Sequence, residues 1–155
     1  MRLRLAAFAT LIFGCSSPLT EARTSFDEAR YPDAVAQYRA VLDFDSRNLL
    51  ALNNLAYTLA LEDPDEALKY AQQAGEIRPD SAAVQDTLGW IYYRKGIYST
   101  ATGYLKRAVA KEPTARRQFH LGMAYIKAGD RDLGQKTLAA ALQKDPNLPK
   151  TEQGW

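Results

Sequence analysis

Residues 82–114 read AAVQDTLGWIYYRKGIYSTATGYLKRAVAKEPT, and residues 115–147 read ARRQFHLGMAYIKAGDRDLGQKTLAAALQKDPN. The same or similar residue types recur at the same places when one stretch is moved onto the other by 33 positions. The marks in the first stretch are Leu88, Gly89, Tyr92, Gly96, Ala101, Leu105, Ala108 and Pro113, and those in the second are Leu121, Gly122, Tyr125, Gly129, Gly134, Leu138, Ala141 and Pro146. This agreement predicts an internal structural repeat.

The marks have the spacing of a pair of packed helices. Leu88 and Tyr92 are four positions apart, which puts both on one side of a helix. Small residues such as Gly89, Ala101 and Ala108 are expected where two helices approach closely, since larger side chains would hold the backbones apart. Each repeat is therefore predicted to contain two helices that pack against each other.

Glycine and proline mark the ends of these helices. Gly96 and Gly129 stand where the first helix of a repeat should stop, the usual place for a residue in the left-handed conformation. Pro79, Pro113 and Pro146 follow the second helix, which they interrupt because proline lacks a backbone N–H. Each predicted helix has about 13 residues and a length of about 20 Å. A single pair cannot bury its apolar face, so neighbouring pairs must stack.

The pattern extends toward the N-terminus with losses. Residues 49–81 keep the leucine and the small residue as Leu55-Ala56, but the turn around Pro64 is one residue shorter and lacks glycine. Residues 15–48 are predicted to be a linker and a degenerate first repeat, of which only the second half is clear. Three credible repeats and one degraded repeat are therefore expected.

The repeat in residues 82–114 resembles the tetratricopeptide repeat, whose pattern is W-x2-L-G-x2-Y…A-x3-F…P. The matching stretch here is Leu88-Gly89-x2-Tyr92…Ala101-x3-Leu105…Pro113, with Gln85 at the tryptophan position. The resemblance covers about residues 18–147. It implies an all-α fold, a short right-handed solenoid of about three to four helical hairpins. Hairpins are expected at 49–81, 82–114 and 115–147, followed by a C-terminal tail at 148–155.

The resemblance implies that the first helix of each repeat lines a concave groove for a protein or peptide ligand. The resemblance assigns to this groove the residues Asn53, Tyr57, Leu61, Asp86, Trp90, Tyr93, Arg94, Phe119, Met123, Ile126 and Lys127. Aromatic residues recur among them, and exposed apolar patches usually mark binding surfaces. The alternative is that Trp90 or Phe119 packs against a neighbouring helix. A hydrophobic or mixed segment is the expected ligand, because Tyr57 and Asp86 stand where a carboxylate-binding groove would need other residues.

The first fourteen residues differ from the rest of the chain. Arg2 and Arg4 precede an uncharged apolar run, residues 5–14, which is about half the length of a bilayer-spanning helix. This order predicts a secretory signal peptide in residues 1–14. Cys15 then resembles the lipobox cysteine of bacterial lipoproteins, which is acylated and becomes the first mature residue. The alternative is a chance cysteine at the end of the signal peptide.

In a lipoprotein, the residue after the acylated cysteine indicates the membrane to which the protein is sent. Ser16 after the acylated cysteine resembles an outer-membrane destination, because inner-membrane retention usually needs aspartate at that place. We therefore expect an exported protein that is anchored to the outer membrane by its N-terminal lipid and faces the periplasm. A soluble periplasmic or secreted protein is the alternative.

Composition and charge argue against some classes of function. The chain is 46% hydrophobic and 25% charged, an ordinary globular balance. Arg2 and Arg4 are two of its 20 basic residues, and the other 18 equal the 18 acidic residues in number. Because nucleic-acid binding depends on neutralising phosphates, a neutral body is not expected to bind nucleic acid.

Candidate catalytic groups are few. His120 is the only histidine and Cys15 the only cysteine, and no glycine-rich phosphate loop is evident. We therefore expect no enzyme activity, no cofactor and no metal, and a structural or solvated role for His120. The acidic run 62–66 surrounds a proline at a predicted helix start, where acids cap the helix and compensate its dipole.

The predicted function is a protein–protein interaction scaffold. Short lipidated proteins of this kind resemble those that serve pilus assembly, outer-membrane protein insertion or exopolysaccharide export. The alternative is a soluble module that self-associates as a homo-oligomer through an uncapped C-terminal end. In that region Trp155 either folds back over the open face or leaves it to another protein.

Overall fold

The computed structural model describes residues 17–148 of the chain. The helices in this part are α1 (Pro18–Asp27), α2 (Tyr31–Phe44), α3 (Leu49–Leu59), α4 (Pro64–Ile77), α5 (Ala82–Arg94), α6 (Tyr98–Lys111), α7 (Ala115–Ala128) and α8 (Arg131–Lys144). The described segment contains no strand, and the predicted all-α fold is confirmed. None of these helices is long and apolar enough to cross a membrane. The predicted signal peptide (1–14), Cys15 and residues 149–155 of the tail lie outside the described residues.

The helices form four consecutive hairpins, α1–α2, α3–α4, α5–α6 and α7–α8, and each hairpin stacks on the next. The second helix of one hairpin contacts the first helix of the following one. The first helices also touch each other, α3 against α5 and α5 against α7. This stacking makes a short solenoid in which the first helices lie side by side.

The first hairpin is complete, although its sequence pattern is degraded. Its helices occupy residues 18–44, and Ala29 takes the turn position with a φ of 58°. Gly96 and Gly129 hold the corresponding turns with φ values of 75° and 104°, which confirms the left-handed turns expected there. The left-handed conformation costs a residue with a Cβ about 1–2 kcal/mol. The buried Ala22 and Tyr38 pack against the core of the second hairpin, and this packing offsets the cost of the left-handed turn at Ala29.

Polar residues cap the start of every first helix. The side chains that accept a hydrogen bond from a backbone N–H in the first turn are those of Ser17, Asn48, Ser81 and Thr114. Each such bond satisfies one of the N–H groups that a helix start leaves without a partner. Asp63 does the same for α4 by accepting from the N–H groups of Asp65 and Glu66, so the acidic run acts as the cap that the sequence predicts.

The two helices of a hairpin touch closely at glycine. A Cβ on Gly89 would lie 2.5 Å from Cγ of Leu105, and one on Gly122 would lie 2.7 Å from Cγ of Leu138. Both distances are far below van der Waals contact, so these positions require glycine when leucine faces them. The second hairpin has alanine at the glycine position, Ala56, and its buried residues include several more alanines on the facing helix α4. The sizes of the facing side chains are thus complementary: glycine faces leucine in the third and fourth hairpins, and alanine faces alanine in the second.

Lysines link successive hairpins at the surface. The Nζ of Lys111 donates to the Asp80 carboxylate at 2.8 Å, and the Nζ of Lys144 donates to the carbonyl oxygen of Pro113 at 3.0 Å. The Lys111 ammonium holds the pKa of the Asp80 carboxyl below its ordinary value. These links are exposed, so they contribute little to stability compared with the apolar contacts between hairpins.

Replacement of Gly89 should distinguish the effect of close packing on stability from the effect of helix propensity. Gly89→Ala is expected to lower the free energy of unfolding by about 1–3 kcal/mol, because the added methyl group overlaps Leu105. Gly103→Ala is the matched control in α6, where an added Cβ meets no atom within 4 Å. It should raise the free energy of unfolding by about 0.5–1 kcal/mol, since alanine is the better helix former. Urea unfolding followed by circular dichroism measures both.

A double variant checks the cause of that loss. In Gly89→Ala/Leu105→Ala the added methyl group no longer meets a leucine, so the combined cost should be smaller than the sum of the two single costs. Strict additivity would show that the contact between residues 89 and 105 is not what requires glycine.

Candidate functional site: the groove between the first helices

A cavity of about 430 Å³ opens between the first helices of the four hairpins. We call it the first-helix groove. Its lining residues are Leu19, Thr20, Arg23, Phe26 and Asp27 of α1, Tyr38 of α2, Leu50, Asn54 and Tyr57 of α3, Ala83, Asp86 and Thr87 of α5, and Arg116 and Arg117 of α7. Since every hairpin contributes, the groove exists only when the hairpins are stacked.

The groove follows the register of the repeat. Leu50, Ala83 and Arg116 are successive equivalents, 33 positions apart, and each is the second residue of its helix. All three line the groove, as do the equivalent residues Asn54 and Thr87. This row of the groove therefore lies in the N-terminal halves of α3, α5 and α7. Its chemistry changes from leucine through alanine to arginine along this row.

A buried polar pair lies beneath the groove. His120 of α7 has no exposed surface, and its Nδ1 is 3.0 Å from Oδ1 of Asp86 on α5. The imidazole stacks on the indole of Trp90 with 4.4 Å between ring centroids, and Trp90 stacks on Tyr93 at 5.0 Å. This hydrogen bond and these ring contacts join α5 to α7 under the groove.

Arginines form the wall at the α7 end. The Arg116 guanidinium lies over the Tyr57 ring, 5.4 Å from its centroid. Arg117 is only 8% exposed, and its Nη1 is 2.7 Å from an Oε2 of Glu112, the residue that ends α6. Cationic groups are thus held at this wall by an aromatic ring and by one carboxylate.

The tyrosine at the α2 side stays uncharged. Burial raises the pKa of the Tyr38 hydroxyl, and the hydrogen bond that it accepts from the Asn54 amide at 3.4 Å lowers it by less. The phenol therefore keeps its proton into the alkaline range. The charges of the groove come from its arginine and aspartate side chains.

Comparison with known proteins identifies the repeat. The sequence profile of the family described as tetratricopeptide repeat matches residues 118–148. A TPR repeat-containing protein of Pseudomonas aeruginosa is 36% identical over 90 residues, and one of Methanocaldococcus jannaschii is 36% identical over 112 residues. These matches cover 54% and 72% of this chain, but only 15% and 20% of the two relatives.

Solved structures share the fold. A thermophilic TPR protein of Thermus thermophilus superposes with a TM-score of 0.72 at 22% identity, covering 88% of this chain and 76% of that one. The MamA protein of Desulfovibrio magneticus gives a TM-score of 0.66 at 20% identity, covering 90% of this chain and 82% of that one. The chain is a tetratricopeptide repeat protein. Proteins with such repeats generally act as scaffolds for protein–protein interaction.

The residues that the family resemblance assigned to the TPR groove lie in three environments. Only Tyr57 and Asp86 line the first-helix groove. Asn53, Leu61, Tyr93, Met123 and Ile126 are partly buried, and Arg94 and Lys127 are exposed. Trp90 and Phe119 are 5% and 8% exposed. Contact of any of them with a partner stays a prediction.

The expectation that Trp90 and Phe119 form an open aromatic floor needs correction. Trp90 is enclosed by Tyr93 and His120, and Phe119 packs with Ala141 and Leu148. Both side chains therefore pack within the chain, as the alternative interpretation supposes. For Trp90 the cause is the contact between α5 and α7, which places His120 on the indole. Phe119 is covered instead by α8 of its own hairpin and by Leu148.

The structure adds groove residues that the sequence did not suggest. Leu50, Asn54, Arg116 and Arg117 were missed because they stand at helix positions other than those that the resemblance assigned to the groove. The 33-residue register relates Leu50 to Arg116, so the repeat itself offered a signal once one member was known. Within residues 17–148, no three His, Cys, Asp or Glu side chains are grouped to hold a metal ion. Of the structural and solvated roles expected for His120, its burial and its hydrogen bond to Asp86 support the structural one.

Removal of the Asp86 carboxylate should destabilise the repeat array. Asp86→Ala removes the carboxylate that hydrogen-bonds to Nδ1 of the fully buried His120, so the free energy of unfolding should fall by about 1–3 kcal/mol. Asp27→Ala is the control, because Asp27 also lines the groove but is exposed and loosely paired. Its effect should stay within about 0.5 kcal/mol. Equal losses for the two variants, measured by urea unfolding, would contradict the structural role of the Asp86–His120 pair.

Proposed function

We propose that this protein is a scaffold that holds a segment of a partner protein in the first-helix groove. The observation that carries the proposal is Leu50, a large apolar side chain that is 59% exposed and lines the groove. Ligand sites combine exposed apolar surface with a few polar groups that orient the ligand. Asn54 and Thr87 line the same cavity and carry such groups. A cavity of about 430 Å³ has room for a few side chains of a partner.

We propose further that the scaffold is a lipoprotein of the outer membrane that faces the periplasm. The support is in the sequence: a basic start, a short apolar run and the lone Cys15 directly after it. The first described helix begins at Pro18, only three positions after Cys15. An acyl chain on Cys15 would therefore hold the α1 end of the groove near the membrane. A role in assembly or export at the cell envelope, as in pilus, outer-membrane protein or exopolysaccharide systems, follows from that location.

Self-association through an uncapped C-terminal end has less support. Leu148, the first residue of the predicted tail, is buried and packs with Phe119 and Ala141. It covers apolar surface of the last hairpin that a second copy would otherwise have to cover. The soluble, self-associating module is therefore the weaker of the two candidates.

Site-specific crosslinking tests the groove. A photoreactive phenylalanine analogue at residue 50 of the full chain should form a covalent adduct with a partner protein in living cells. The same analogue at residue 133 is the matched control, because Leu133 is also an exposed leucine, 46% exposed, but lies on the second helix α8. We expect at least about fivefold more adduct from residue 50, since the groove excludes residue 133. Equal adducts from both, or adduct only from residue 133, would contradict binding in the groove.

Acylation of Cys15 is tested independently of any partner. Cells that express the parent chain and are fed radiolabelled palmitate should label it, and Cys15→Ser should lose the label because the thiol that carries the acyl chain is gone. Fractionation should then find the parent chain with the outer membrane and the variant in the soluble fraction. Labelling that survives in Cys15→Ser would rule out the proposed anchor.

A further inference from the structure

The charged residues that line the first-helix groove do not balance. The lining holds three cations, Arg23, Arg116 and Arg117, and two acids, Asp27 and Asp86. Asp27 lies on α1 and pairs with Arg23 of the same helix at 3.9 Å. That pair is neutral as a unit. The surplus of positive charge therefore belongs to the α7 wall.

Asp86 does not neutralise Arg116. Its Oδ1 is directed to His120, with 3.0 Å between the oxygen and Nδ1. None of the ion pairs within residues 17–148 joins a carboxylate to Arg116. The Arg116 guanidinium instead rests over the Tyr57 ring, which holds it at the groove without cancelling its charge.

Arg117 adds a second, independent sign of a missing acceptor. More than nine-tenths of the residue is buried, and it lines the groove beside Arg116. Its Nη1 meets Glu112, but its Nε is buried without a hydrogen-bond partner. Buried polar atoms in native proteins almost always have a partner, and carboxylate is the group with which guanidinium pairs best. The α7 wall thus carries more guanidinium donors than the carboxylates of the described residues accept.

The α3 side of the groove has the opposite character. Leu50 is well exposed there, and Leu19 and Phe26 of α1 line the same cavity. Leu50 and Arg116 occupy the same place in their repeats, two hairpins apart. An apolar end and a cationic end therefore face one continuous cavity.

We infer that the occupant of the groove is a protein segment that places an acidic side chain beside an apolar one. The carboxylate pairs with Arg116 in the field of Arg117, and the apolar side chain covers Leu50. This assignment rests on the proposed binding function of the groove and adds the charge of the ligand to it. The body of the chain is neutral, so the positive charge is local to this wall and suits a single carboxylate better than a polyanion.

Three rhodamine-labelled peptides test the inference on the full chain. Each contains three copies of Leu-Ser-X, with X as glutamate, glutamine or lysine, and binding is measured by fluorescence anisotropy. The glutamate peptide should bind about tenfold more tightly than the glutamine peptide at low salt, and the difference should shrink at about 0.5 M salt as the charges are screened. The lysine peptide should bind most weakly. Arg116→Gln should weaken the glutamate peptide about fivefold to tenfold and leave the glutamine peptide unchanged.

A matched variant and a vesicle arm complete the test. Arg131→Gln removes an exposed arginine from the start of α8, outside the groove, and should not change binding of the glutamate peptide. Melting curves confirm that both variants fold.

Preference for the lysine or glutamine peptide, or no effect of Arg116→Gln, would overturn the acidic assignment while leaving the groove as a peptide site. Binding of none of the peptides, together with binding to vesicles that contain phosphatidylglycerol, would assign the arginines to a membrane surface instead. The crosslinking at residue 50 then decides separately whether the groove holds a protein at all.

Discussion

The two helices of the third and fourth hairpins come close together where the first helix carries glycine. At Gly89 and Gly122 the backbone of a first helix comes so close to Leu105 and Leu138 that a Cβ would overlap them. This close approach sets the distance between the helices of the third and fourth hairpins. With the two helices of a hairpin held at this distance, the opposite face of the second helix is left to pack against the first helix of the next hairpin. The first-helix groove is a consequence of that stacking, since no single hairpin encloses it.

A groove built from equivalent positions can vary its chemistry without changing the fold. Leu50, Ala83 and Arg116 share one place in the repeat, and each lies at the start of a first helix. The contacts that stack the hairpins are made elsewhere, by buried residues such as Leu88 and Leu121. The groove positions are therefore free to differ. This separation explains how an apolar end and a cationic end occur in one cavity of a regular array.

The layer beneath the groove is held by polar and aromatic contacts between first helices. Asp86 and His120 belong to different hairpins and are both buried, so their hydrogen bond sets the position of α7 relative to α5. Trp90 stacks on the same imidazole. Buried hydrogen-bonded groups of this kind favour one arrangement of the helices, because any other arrangement leaves a polar group without a partner. These contacts fix α5 against α7 directly below the wall that carries Arg116.

Much of the fold could be predicted from spacing, because local chemistry decides it. The 33-residue period, the turns at Gly96 and Gly129, and the helix ends before Pro113 and Pro146 follow from properties of single residues and of neighbours on one helix. The acidic cap at Asp63 follows in the same way, because a helix start needs acceptors wherever it occurs.

The sequence could not predict which side chains are buried between hairpins. Helix periodicity alone leaves Trp90 and Phe119 facing outward. In the structure His120 of α7 covers Trp90, and α8 together with Leu148 covers Phe119. The approach of α5 to α7 also brings Asp86 to His120 across 34 positions of chain, and the stacked first helices together enclose the groove. The first hairpin also forms with Ala29 at its left-handed turn, where the pattern lacks the glycine. The sequence by itself determined the repeat and its helices. Only the tertiary structure decided which side chains of the first helices stay exposed, because exposure depends on how the hairpins stack and not on one helix.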